Sequence, residues 1–118
     1  MRPDIQRELV KLMESNLPNR SVEYMDNRMS RYSMKMGKCK ITGVHLFATY
    51  VHCYHYVPLH LGGSDKFSNL RILHKEVHRL IHSTLKETID VLRSKFGITE
   101  PMVKLINQYR NKCGLEPI

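Results

Sequence analysis

The sequence predicts an α+β fold that is mainly helical, in which helices flank a small core of strand, loop, strand and helix. Three observations predict it. Apolar residues return at steps of three and four in several separate stretches, the period of helices with one buried face. Residues 51–57 instead alternate β-branched and aromatic side chains, which suits a strand. Proline, paired glycines and Ser/Asp residues separate that strand from the helix that follows. A chain of 118 residues supports one domain with a small core, near the size at which a bound metal adds appreciably to stability. Its parts are a helical N-terminal portion (1–40), the strand-containing core (41–83) and C-terminal helices (84–118).

The first helix is expected over residues 4–16, with Ile5, Leu9, Leu12 and Met13 on its apolar side and Leu17-Pro18 stopping it. Ser21 caps a second helix, whose apolar line runs Val22, Met25, Met29, Tyr32, Met36 and reads as core. Gly37 ends it. Its other face presents Arg28, Arg31 and Lys35, continued by Lys38 and Lys40. That stripe reads either as a phosphate-contacting surface, with binding that falls as salt rises, or as an ordinary solvated face.

Residues 40–50 turn at Thr42-Gly43 and lead as a hairpin or loop into the strand of residues 51–57. Pro58 ends that strand, since proline cannot donate to a ladder, and Gly62-Gly63-Ser64-Asp65 supply a turn. A second extended piece, residues 70–73, leads into a helix carrying His78 and His82. Leu85, Ile89, Leu92 and Phe96 then mark another helix closed by Gly97. Thr99 caps the last one, with Pro101 in its first turn, where a missing amide is harmless. Met102, Leu105, Ile106 and Tyr109 form its apolar side, and Cys113-Gly114 end it.

Nineteen Lys and Arg against eleven Asp and Glu give a formal charge of +8 and a pI near 9.6, a balance that favours a polyanionic partner such as nucleic acid. Cys39, Cys53 and Cys113 lie far apart without a Cys-x2-Cys pair, which argues against a disulfide framework or a cysteine zinc knuckle. They are expected to be reduced and mostly packed, as in the cytoplasm. There is no apolar run of membrane-spanning length and no signal peptide, so no membrane partner is expected.

Six of the seven histidines fall in residues 51–82. His78 and His82 stand four apart on a helix and so project from one face, where their imidazoles can converge on one divalent ion. His74 adds an imidazole one turn earlier. His45 and His60 have no partner at ligand spacing and read as structural or solvent-facing.

His55 on the strand, Asn69 in the loop and His78-x3-His82 on the helix resemble, in that order, the HNH nucleases. More widely, RPDIQ, SVEYMDNRMSRYSMKMGKCKITG, the core stretch and INQYRNKCGLEPI are similar to the C-terminal HNH portion of bacterial group II intron-encoded reverse transcriptases. The resemblance implies a ββα-metal (His-Me finger) core and hydrolysis of DNA. His55 would be the general base, since a neutral imidazole titrates near working pH. His78 and His82 would hold the single divalent cofactor, Zn, Mg, Mn or Ni. Asn69 would either fix the backbone around His55 or act as a ligand.

One position departs from the pattern: Tyr54 stands where HNH sequences often carry a His or Asp ligand, and a protonated phenol is a poor one. His52, on the same face of a regular strand, would substitute if the strand bulges. The implied partner is double-stranded DNA, nicked on one strand to leave a 3′ hydroxyl, with intron RNA or a reverse transcriptase where the chain belongs to a larger system. A homodimer would cut both strands. The chain carries no polymerase region and reads as an excised domain with Met1 added, or as a free-standing relative. Two other classes fit the same residues: a nucleic-acid-binding module whose site lost a ligand at Tyr54, and an interaction domain with a structural zinc on His78 and His82 that chelation would unfold.

Overall fold

The computed structural model describes residues 2–15 and 17–118. Among them the order is α1 (Pro3–Glu14), α2 (Val22–Met34), β1 (Val51–His55), β2 (Leu70–His74), α3 (Lys75–His82), α4 (Lys86–Phe96) and α5 (Glu100–Lys112), with short 3-10 turns before β1 and in the loop between the strands. The fold is α+β and mostly helical, with one two-stranded antiparallel sheet. The expected first-helix end at Asn16 lies outside the described residues.

α1 buries Ile5 and Leu12, while Met13, expected in its core face, is 65% exposed. Ser21 caps α2 as expected, its Oγ accepting from Tyr24 N at 2.9 Å. Of the expected apolar line of α2, only Tyr32 is fully buried. Val22 is 77% exposed and Met36 is also exposed, Met25 and Met29 pack only against the core margin, and the buried line is Tyr24, Arg28, Tyr32. At 100° per residue the buried face lies about 80° round the helix from the expected apolar line. The two tyrosines win because each buries a large ring and still satisfies its hydroxyl: Tyr24 Oη donates to Cys53 O at 2.7 Å and Tyr32 Oη to Leu46 O at 2.8 Å.

Arg28 therefore does not stand on a solvated cationic face; it is 4% exposed. Its Nη2 donates to Leu12 O at 2.8 Å, Ser15 O at 3.3 Å and Ser15 Oγ at 3.0 Å, satisfying carbonyls that a helix C-terminus leaves without intrahelical donors. Arg110, also 4% exposed, does the same for α3. Its Nη1 donates to Ile81 O at 2.8 Å and Ser83 O at 2.7 Å, and its Nε to Glu116 O at 2.6 Å. Arg110→Ala would leave those buried carbonyls unpaired and is expected to cost roughly 3 kcal/mol in chemical denaturation.

β1 and β2 pair in unbroken register from Val51↔His74 to His55↔Leu70. Both faces of β1 are covered, because Cys53 and Tyr54, which point to opposite sides, are both buried. Tyr24 of α2 lies on the Cys53 and His55 side, and α3 lies on the His52 and Tyr54 side. Gly97 closes α4 in the left-handed conformation at φ 58°, and α5 buries Val103, Ile106 and Tyr109. Leu85, expected on the apolar side of α4, precedes the helix and is exposed. The three cysteines are free, Cys39 and Cys53 buried. Among the described residues no helix is long and apolar enough to cross a membrane.

Candidate functional site

His52, Tyr54, His55, His78 and His82 line one cavity of about 410 Å³ beside β1, with Arg20 at its edge. Strand alternation puts His52 and Tyr54 on the α3 side, with ring centroids 6.1 Å apart. The loop between the strands adds His60, which sequence spacing had left without a partner. His45 stays outside the cavity, with its Nε2 buried and its ring edge-on to Phe47.

His55, at the end of β1, is oriented by a residue the sequence had assigned only to a turn. Asp65 Oδ1 lies 2.7 Å from His55 Nε2. The Asp65 carboxyl is held below the ordinary carboxylate range, first by a hydrogen bond from Ser21 and then by His55. An ionised carboxylate only accepts, so His55 Nε2 is the donor of this bond, and in the neutral imidazole the lone pair lies on Nδ1. Asp65 is itself fixed from α2: Ser21 Oγ donates to its Oδ2 at 2.6 Å and Asn27 Nδ2 to its carbonyl at 3.0 Å. The Tyr24 ring stacks on the His55 ring at 5.3 Å.

Asn69 fastens the loop from inside. Its Oδ1 accepts from Val57 N at 2.8 Å, and its Nδ2 donates to Val57 O at 3.0 Å and Ser64 O at 2.8 Å. Through these bonds it braces the backbone between His55 and Asp65.

The planes of His78 and His82 lie 81° apart with centroids at 4.9 Å. The two rings pack edge to face on α3, at the i, i+4 spacing that puts two histidines on one helix face. Burial holds both imidazoles below the ordinary histidine range, His78 at about 4, which keeps them neutral as ligands must be. Two neutral imidazoles on one helix face are a donor set of the chemistry a divalent ion takes. Among the described residues no group of three or more His, Cys, Asp or Glu is placed to hold one.

His52 does not extend the pair. Its ring stacks on His78 with centroids 3.9 Å and planes only 6° apart, and parallel planes share no point for an ion. The strand bulge that would re-aim it is absent from the register. Burial, then the neighbouring His78, push His52 down to about 3. Tyr54 is also withdrawn: burial raises its phenol far above the ordinary range, and its hydroxyl hydrogen-bonds Cys113 Sγ at 3.1 Å. His74 is used differently again. Its Nδ1 accepts from Glu76 N at 2.9 Å, capping α3, and its ring stacks on Tyr50.

Of the expected cationic surface, Arg31 turns inward to the loop. Its Nε and Nη2 donate to Phe67 O at 2.9 and 2.6 Å, and its guanidinium lies 3.7 Å from the Phe67 ring centroid. Lys38 and Lys40 remain exposed and Lys35 half-buried. Lys35 stands close enough to lower the Lys40 ammonium, with burial, Arg71 and Arg31 adding to it.

Compared with protein-family models, curated proteins and solved structures, the chain matches none.

Proposed function

We propose that this domain is a metal-dependent endonuclease of the HNH type that nicks or cleaves double-stranded DNA by phosphodiester hydrolysis. The observation that supports the proposal is that His55, which Asp65 orients, lines one cavity together with His78 and His82. Hydrolysis needs a base for the attacking water and stabilisation of the charge on the phosphoryl and leaving oxygens. His55 Nδ1 takes the proton of the water as its oxygen bonds to phosphorus. Asp65 holds the ring in the required tautomer and offsets the imidazolium charge that forms. The bond from phosphorus to the 3′ oxygen breaks and that oxygen takes a proton from solvent, leaving a 5′-phosphate and a 3′-hydroxyl. A divalent ion on His78 and His82 would supply Lewis-acid stabilisation at the scissile phosphate and its leaving oxygen. The net positive charge suits a DNA duplex as substrate.

A second reading has its own observation. Tyr54 is buried and bonded to Cys113, so the position that often supplies a ligand is closed, which favours a nucleic-acid-binding module with a weakened site. The parent chain and Tyr54→His, each incubated with supercoiled plasmid and magnesium, manganese, nickel or zinc, separate the two. The nuclease reading expects open-circular plasmid from the parent. Binding without nicking by the parent, and nicking gained in Tyr54→His, would establish the binding module instead.

A further inference from the structure

Beside the histidine cavity, one surface gathers positive charge without a counter-charge. Arg71 on β2 and Lys112 in the last turn of α5 approach the same Tyr56 ring, Arg71 Cζ at 5.0 Å and Lys112 Nζ at 5.6 Å from its centroid. Tyr56 is packed edge-on to Tyr109 at 4.9 Å, and Tyr109 stacks in turn on Tyr54 of the cavity. Lys40 joins from the loop after α2: its backbone N–H donates to Ile72 O at 2.9 Å, which sets it beside Arg71. Lys35, then burial, hold the Lys40 ammonium below its ordinary range, and Arg71 adds to that. Lys40 and Lys112 are exposed, and neither they nor Arg71 form an ion pair among the described residues. A cation on a neutral ring at an exposed site gains only about 0.5–1 kcal/mol, so the ring does not neutralise two of them; an anion would. The surface borders the cavity, because Tyr56 follows His55 and Lys112 precedes Cys113, and both of those neighbours line it.

We propose that Arg71, Lys112 and Lys40 form a phosphate-contacting surface that holds the backbone of a DNA duplex beside the histidine cavity. A duplex carries one negative charge per ~1.7 Å of its axis, so it offers phosphates to several separated cations at once. Such contacts position the duplex and carry no sequence information. The surface rests on the nuclease reading for the identity of its partner, and its three cations lie outside the groups to which that reading assigns the chemistry.

The test is fluorescence anisotropy of a labelled short DNA duplex titrated with the full chain, without added divalent ions, at several sodium chloride concentrations. Lys40→Gln/Lys112→Gln is compared with Lys11→Gln/Lys86→Gln, which removes the same charge from exposed lysines of α1 and α4. The proposal expects the first pair to weaken binding about tenfold and to lower the salt slope by about two, as the loss of two phosphate contacts does, and the second pair to keep the slope of the parent. Equal losses in the two double variants, or no binding by the parent, overturn the surface. If the loss is confined to the first pair but the parent nicks no plasmid with any divalent ion, the surface stands and the nuclease reading fails. If the parent nicks plasmid and Lys40→Gln/Lys112→Gln binds and nicks as the parent does, the surface is overturned and the nuclease reading survives.

Discussion

His55→Ala is expected to lower the nicking rate by roughly 10²- to 10⁴-fold, the range for loss of a positioned general base. The ring is the one imidazole in the cavity whose orientation a carboxylate sets, and alanine removes the acceptor of the water proton. The fold should survive. Ser21 and Asn27 still hold Asp65 from α2, and the Asn69 bonds to Val57 and Ser64 do not involve His55. The variant loses one hydrogen bond and the Tyr24 stack and should unfold about 2 kcal/mol below the parent, still folded at the assay temperature. Quenched time courses on supercoiled plasmid, with thermal unfolding run alongside, measure both. Parent-like nicking by His55→Ala would remove His55 from the chemistry.

Gly63→Ala is expected to be the most disruptive single-methyl change in the chain. A Cβ at Gly63 would lie 1.8 Å from Val57 O and 2.9 Å from Pro58 O, and neither backbone atom can swing away as a side chain would. Relief requires the loop to open. That breaks the bond from Gly63 N to Pro58 O and the bonds that Asn69 makes to Val57. The expected loss is at least about 3 kcal/mol, read as a fall in Tm of roughly 10 °C or more. Gly62→Ala is the internal control. Gly62 has φ 94° but open space around its Cβ direction, so the strain of a left-handed alanine, about 1 kcal/mol, is its whole penalty. Equal effects at the two glycines would mean that the loop does not fold back on Val57 as described.

What the sequence carried locally, it carried well. Ser21 at the start of α2, Gly97 at the end of α4 and Pro101 inside α5 act through neighbours a few residues away, so their signals are complete within a short window. Strand alternation likewise put His52 and Tyr54 on one side of β1. What failed depended on partners distant in sequence. Tyr32 was legible in the apolar period of α2, but the buried face continues through Tyr24 and not through the methionines, and the carbonyl of Cys53 that takes the Tyr24 hydroxyl lies far off in sequence. Arg28 and Arg110 carry no local mark of burial; each is drawn in by the end of another helix. Asp65 looked like a turn former because turns favour aspartate, and nothing nearby disclosed that the loop returns its carboxylate to His55. Tyr54 meets Cys113 from the far end of the chain, so spacing could not reveal how that ring is withdrawn.

The most direct measurement of the central claim is nicking by protein stripped with a chelator and then given back magnesium, manganese, nickel or zinc, with a His78→Ala/His82→Ala double variant treated identically. The account predicts that stripping abolishes nicking, that an added ion restores it to the parent, and that no ion restores it to the double variant. Nicking by the stripped parent at its full rate, or by the double variant at the parent's rate, would contradict it.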